Sequence, residues 1–151
     1  MRNDPSLSPA EIQDLRCIAD IMIPPSEIHA VPGAGDPAIL ADIIASLGRD
    51  FDAVRQALSL LATLSGGAFA DLDTTSRTTV ATAFQTQGGA PLAALNRTIL
   101  QCYYRDDRVV RSLGLEPRPP FPKGHSLEQG DWSLLDPVRT RPPMWRDVPA
   151  G

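Results

Sequence analysis

Apolar residues recur along the first three quarters of the chain with a period of three to four, and prolines and glycines cut that pattern into segments. Ser8-Pro9-Ala10-Glu11 has the form of a capping box with proline at the first helical position. Behind it Ile12, Leu15, Ala19 and Met22 repeat at helical spacing, with Ile18 widening the stripe. Pro24-Pro25 must end this helix, because proline lacks an N–H and disfavours helix in the residue before it. After the loop SEIHAVPGAG, Asp36 and Pro37 open a second helix whose apolar face is Leu40, Ile43, Ile44 and Leu47, and Gly48 is expected to close it. Asp50 opens a third, with Phe51, Val54, Leu58 and Leu61 buried and Gly66-Gly67 as its stop. Asp73 to Gln87 is rich in threonine, whose branched Cβ weakens the helical signal. Gly88-Gly89 interrupts it, and Pro91 is expected to start a helix carrying Leu92, Leu95, Ile99 and Cys102. That helix continues or restarts near Asp106 and ends before Gly114.

No alternating run is bounded by a hairpin turn, so the expected class is all-α: a small bundle of about five helices over residues 1–114. Residues 115–151 differ in kind. Eight of the fifteen prolines fall there, and so do both tryptophans. Five basic and five acidic residues cancel, leaving the whole net charge of −4 on the helical part. Disordered tails are usually poor in aromatics and strongly charged, and this segment is neither. Phe121, Trp132, Leu134, Leu135, Met144 and Trp145 are spaced along it like anchors. Either the segment folds back to finish the core, or it is a long irregular arm that lies across another protein. A helical bundle of this length closes its core with short loops, which favours the arm. Proline lowers the entropy lost when an extended arm is ordered, and tryptophan and arginine are the residues that most often dominate interfaces.

The acidic balance argues against nucleic acid, which demands a basic face, and no apolar run approaches the ~20 residues of a membrane span. The N-terminus shows neither a basic start with an apolar stretch nor twin arginines, so the expected compartment is the cytoplasm, with export alongside a partner as the alternative. Cys17 and Cys102 lack the spacing and company of metal ligands; two buried thiols is the plain reading, and a disulfide between them is the alternative.

Candidate chemistry is sparse. His29 and His125 have no carboxylate or second histidine at ligand or general-base spacing. Gly33-Ala34-Gly35 lacks the strand and the third glycine of a dinucleotide loop, and Asp36 behind it would repel phosphate. Asp20, Asp71 and Asp73 read as single charges on solvated faces. The densest cluster is Tyr103-Tyr104-Arg105-Asp106-Asp107-Arg108. It reads either as a helix end whose charges pair locally, or as an interface patch with Tyr103, Tyr104 and Arg105 as contacts. A catalytic site there, with His125, is a third and weaker reading. No motif binds a metal or cofactor within this chain.

The chain resembles a known family, the small subunit called gluconate 2-dehydrogenase subunit 3. The resemblance lies in LRCIADIMIPP and PGAGDPAILADII, at Ala19, Asp20, Ile23, Pro24, Pro32, Gly33 and Ala34. It resumes in YYRDDRVVRSLGLEPRPPFPKGH and QGDWSLLDPVRTRPPMWR. It implies a non-catalytic subunit that stabilises and assembles a larger partner. That partner would be similar to glucose-methanol-choline oxidoreductases, hold FAD, and oxidise a hydroxyl of a sugar, polyol or glycoside. Many members carry a twin-arginine signal, which this sequence lacks. The residues expected to bind the partner are Tyr103, Tyr104, Arg105, Phe121, Trp132, Leu134, Leu135, Arg139, Arg141 and Trp145, with the two tryptophans as anchors and the arginines fixing register. A free-standing chaperone or adaptor that releases its client is the competing reading.

Overall fold

A computed structural model describes residues 6–118, 124, 127–142 and 144. The chain divides into two compact units, Met1–Pro117 and Arg118–Gly151. Among the described residues both are built from helices and turns, and the class is all-α.

Among the described residues of the first unit are the helices α1 (Pro9–Met22), α2 (Pro37–Ala45), α3 (Phe51–Ser65), α4 (Thr74–Gln87), α5 (Gly89–Tyr103) and α6 (Asp107–Ser112). α3 is the hub. It packs against α1, α4 and α5, while α2 lies on α5. The core runs through Leu15 and Ile18 of α1, Ile39 and Ile43 of α2, Val54, Leu58 and Leu61 of α3, Phe84 of α4, and Leu95 and Ile99 of α5. The periodic apolar positions therefore do what their spacing requires: each helix turns one stripe inward and removes it from water.

Helix starts are set by side chains that satisfy the free N–H groups of the first turn. Ser8 Oγ accepts from Glu11 N at 3.3 Å, and Glu11 Oε2 accepts from Ser8 N at 2.8 Å, closing the capping box. Glu11 also reaches Arg55 of α3 at 3.2 Å, so the cap doubles as a tie between helices. Asp36 Oδ1 accepts from Ala38 N at 3.0 Å, Asp73 Oδ1 from Thr75 N at 2.9 Å, and Asp106 Oδ1 from Arg108 N at 2.9 Å.

The threonine-rich segment is a full helix. Its cap is one reason; the other is that Phe84 is buried, with Val80 and Ala81 packed beside it. The hydroxyls of Thr78, Thr79, Thr82 and Thr86 each donate to the carbonyl four residues back, which keeps them satisfied on the outer face.

Three boundaries differ from the pattern. α2 stops at Ala45, before Gly48, and a 3₁₀ turn at Gly48–Asp50 runs straight into α3 because buried Leu47 pins the connection. α5 begins at Gly89, two residues before Pro91; a proline in the first turn loses no intrahelical bond. The first unit extends past Gly114, since α6 ends in a Schellman closure. Leu115 N donates to Val110 O at 3.2 Å and Gly114 N to Arg111 O at 3.0 Å, with Gly114 at φ +74° in the left-handed region glycine tolerates.

A core residue also sits where no periodicity announced one. Phe69, in a 3₁₀ turn at Phe69–Asp71, is fully buried. Buried Asp14 of α1 holds that turn by accepting from Ala70 N at 2.8 Å, and Arg77 of α4 donates to Ala70 O.

In the second unit, a 3₁₀ turn (Trp132–Leu135) leads into one helical turn, α7 (Asp136–Arg139). The arm is therefore not wholly irregular: Asp131 caps this element, accepting from Ser133 N at 3.0 Å.

Candidate partner interface

Apolar side chains are displayed at several places, Leu113 and Leu115 behind α6 among them; two of these places stand on tight hydrogen-bonded turns. The first is the loop after α1. Pro24 ends the helix, with Ile23 N still donating to Ala19 O at 2.9 Å. Ser26 and Val31 then exchange backbone hydrogen bonds at 3.0 and 3.1 Å, closing a tight turn over Glu27–Ala30. Ala30 takes φ +51°, a strained value for a residue with a Cβ, held by the bonds around it. Ile28 at the tip is 92% exposed.

Behind the tip the loop is clamped. Ala34 N donates to Ile23 O at 2.9 Å, and Gly35 N donates to Asp20 Oδ1 at 2.8 Å. Asp20 thus corrects the expectation of a solvated charge: its carboxylate lies against the buried Gly33–Gly35 backbone. A Cβ on Gly33 or Gly35 would stand 2.5 or 2.4 Å from a carboxylate oxygen, which explains both glycines. The Gly35 amide is given to a carboxylate, so this segment does not cradle phosphate.

Tyr103 completes the clamp. Expected among the partner contacts, it is only 4% exposed, and its hydroxyl donates to Pro32 O at 3.2 Å. Burial pushes its phenol up from the ordinary value. Tyr104 is exposed and meets Tyr103 edge to face at 5.3 Å.

The arginines beside them do not pair locally alone. Arg105 forks onto Asp42 of α2 at 2.7 and 2.6 Å and also reaches Ser46 at 2.5 Å. Arg108 holds Asp36 at 2.8 Å and Asp106 at 2.9 Å. These hydrogen bonds keep the carboxyls of Asp42, Asp36 and Asp106 below the usual range. The cluster therefore fastens α2 to the α5–α6 corner. The expected local pairing is present for Arg108 with Asp106 and for Arg111 with Asp107 at 3.1 Å, while Arg105 and Arg108 reach across to α2.

The second place is the arm. Every residue from 127 to 142 is exposed. Trp132 is 60% exposed, Leu134 73%, Leu135 41% and Val138 55%. Arg139 pairs with Asp136 at 3.3 Å, and Arg141 follows in the open. Phe121, His125 and Trp145 lie outside the described residues.

A groove of about 400 Å³ between α1, α4 and α5 is lined by Ile18, Ile21, Met22, Phe84 and Leu92 with Asn96, and carries no ionisable side chain. Cys17 and Cys102 are free thiols. Cys102 is buried, and burial raises its thiol above the ordinary value, the opposite of an activated nucleophile. Among the described residues no three His, Cys, Asp or Glu gather where a metal would sit, and no helix is long and apolar enough to cross a membrane.

Ile28 and Val138 were not legible as surface features. Ile28 stands in a proline- and glycine-rich loop with no periodic neighbour, and Val138 gains its meaning only when the arm turns helical. Comparison with protein-family models, with curated proteins and with solved structures finds no match to this chain.

Proposed function

We propose that this chain is a non-catalytic small subunit that stabilises and assembles a larger FAD-dependent oxidoreductase, one acting on hydroxyls of sugars, polyols or glycosides. The observation that carries the reading is the exposed set Trp132, Leu134, Leu135 and Val138 on a short capped turn. Four large apolar side chains within seven residues cost solubility unless a partner covers them. The class of partner comes from the resemblance, whose N-terminal residues Ala19, Asp20, Ile23, Pro32, Gly33 and Ala34 meet in the clamp that presents Ile28.

In this reading the flavin belongs to the partner, as the resemblance implies. An arm that reaches across a surface suits an interface above the standard of about 1,600 Å². We place the complex in the cytoplasm, where the free thiols Cys17 and Cys102 stay reduced; export alongside a partner is the alternative.

Purification of the tagged chain from its native host tests the reading. A yellow eluate with a second, larger chain at one-to-one stoichiometry is the expected result. A colourless 16.2 kDa protein alone overturns it, and release of a client after folding would favour a chaperone.

A further inference from the structure

We infer that Asp14 and Arg77 form a buried charge lock on Ala70, and that this lock holds residues 66–73 shut as a strap over the core with Phe69 inside. The strap joins α3 to α4, and the packing of Phe69 alone does not keep it closed.

The strap has little backbone structure of its own. It opens on Gly66, at φ +68°, and Gly67, and two glycines in succession leave much chain entropy to be lost on ordering. Around Phe69, Asp71 N donates to Ala68 O at 3.2 Å and Leu72 N to Phe69 O at 3.3 Å. A single 3₁₀ turn of this kind fixes several dihedrals for few hydrogen bonds and needs support from outside.

Two charges supply it, gripping Ala70 on either side of its Cα. Asp14 Oδ1 accepts from Ala70 N at 2.8 Å, and Arg77 Nη2 donates to Ala70 O. Asp14 is 5% exposed and shares the inward face of α1 with Leu15, Ile18 and Ala19. Arg77 is half-buried, and its Nε is shut off from water without a hydrogen-bond partner. Burying either charge is costly unless an opposite charge and hydrogen bonds offset it. The two offset each other across the main chain of Ala70, where bonds to ionised groups are stronger than neutral ones.

What the pair adds is a single register. Asp14 comes from α1, Arg77 from α4 and Ala70 from the turn between α3 and α4, so both bonds form only when the strap lies one way, with Phe69 inward. An apolar pair of similar volume would pack there without naming a register. With one partner gone, the other is left as an uncompensated buried charge. Opening the strap is then favoured, because it lets water reach that charge.

The test uses the full-length chain and two readouts, the unfolding equilibrium and amide hydrogen exchange. Asp14→Asn and Arg77→Met are each expected to raise the unfolding constant about tenfold, and the double variant also about tenfold, where independent losses would multiply to about a hundredfold. In each single variant the Ala70 and Leu72 amides are expected to exchange about tenfold faster than that of Ile99 in α5, which opens only with the whole bundle. Single variants without effect, or a double variant at the full product, overturn the lock, because the two charges would then act separately or not at all. Ala70 as protected as Ile99 in both single variants overturns the strap, because Phe69 packing would then hold it alone. Loss of the entire fold in every variant overturns both, because residues 66–73 would then be inseparable from the core.

Discussion

The helical unit and the arm use similar residues to opposite ends. In the helical unit, Phe69, Phe84, Leu61 and Ile99 are almost wholly withdrawn from water, and several polar groups drawn in with them have partners: Asp14 on Ala70, Asp20 on Gly35, Tyr103 on Pro32. In the arm, Trp132, Leu134 and Val138 stand in solvent on a turn whose hydrogen bonds are all local. The first region holds its apolar stripes in one shared core. The second carries its apolar side chains on a locally bonded turn, and the proposed partner would cover them.

The sharpest way to break that comparison is to damage each side and read both outputs. Phe69→Ala removes a fully buried ring and should cost about 4 kcal/mol of stability, read as a lower denaturation midpoint. Gly35→Ala should come next, at about 3 kcal/mol, because the new Cβ collides with the Asp20 carboxylate held at 2.8 Å from the Gly35 amide. Trp132→Ala should leave the thermal midpoint in place and weaken assembly by about 2 kcal/mol. A fall in midpoint as large as that of Gly35→Ala would mean that the arm belongs to the fold.

The smallest effect concerns acid. Asp36, Asp42 and Asp106 have folded pKa values below the ordinary 3.8 because Arg108 and Arg105 hydrogen-bond their charged forms. A lowered carboxyl stabilises the fold above its unfolded pKa and loses that contribution as pH falls through the folded value. Stability should therefore hold above about pH 4 and decline below it. The side chains of Arg105 and Asp42 are 56% and 38% exposed, so solvent screens the pair and Asp42→Asn should cost only about 0.5 kcal/mol at neutral pH. The same variant should flatten the acid limb in a pH series of melts.

Much of the helical unit was legible because its signals are local. Capping residues at Ser8 and Asp36 and stripes such as Leu92–Leu95–Ile99 need no distant information, whereas Asp73, which reads as a solvated charge, caps α4. What escaped depends on contacts far apart in sequence. Phe69 has no periodic neighbours and is buried because Asp14, fifty-six positions earlier, holds its turn. Tyr103 looks like an anchor beside Tyr104 and Arg105, yet it faces inward to a carbonyl seventy-one positions away. Asp20 reads as a surface charge until the chain folds Gly35 onto it. In the arm, apolar anchors were visible, but their helical turn was masked by the surrounding prolines, of which Pro137 occupies a tolerated first-turn position.

One measurement bears most directly on the central claim. A full-length chain carrying Trp132→Glu, Leu134→Glu and Leu135→Glu would be compared with wild type for its unfolding midpoint and for the flavin absorbance it recovers on affinity purification. The account predicts an unchanged midpoint and loss of the yellow partner. A lowered midpoint with the partner retained would contradict it, and would assign the arm to the core.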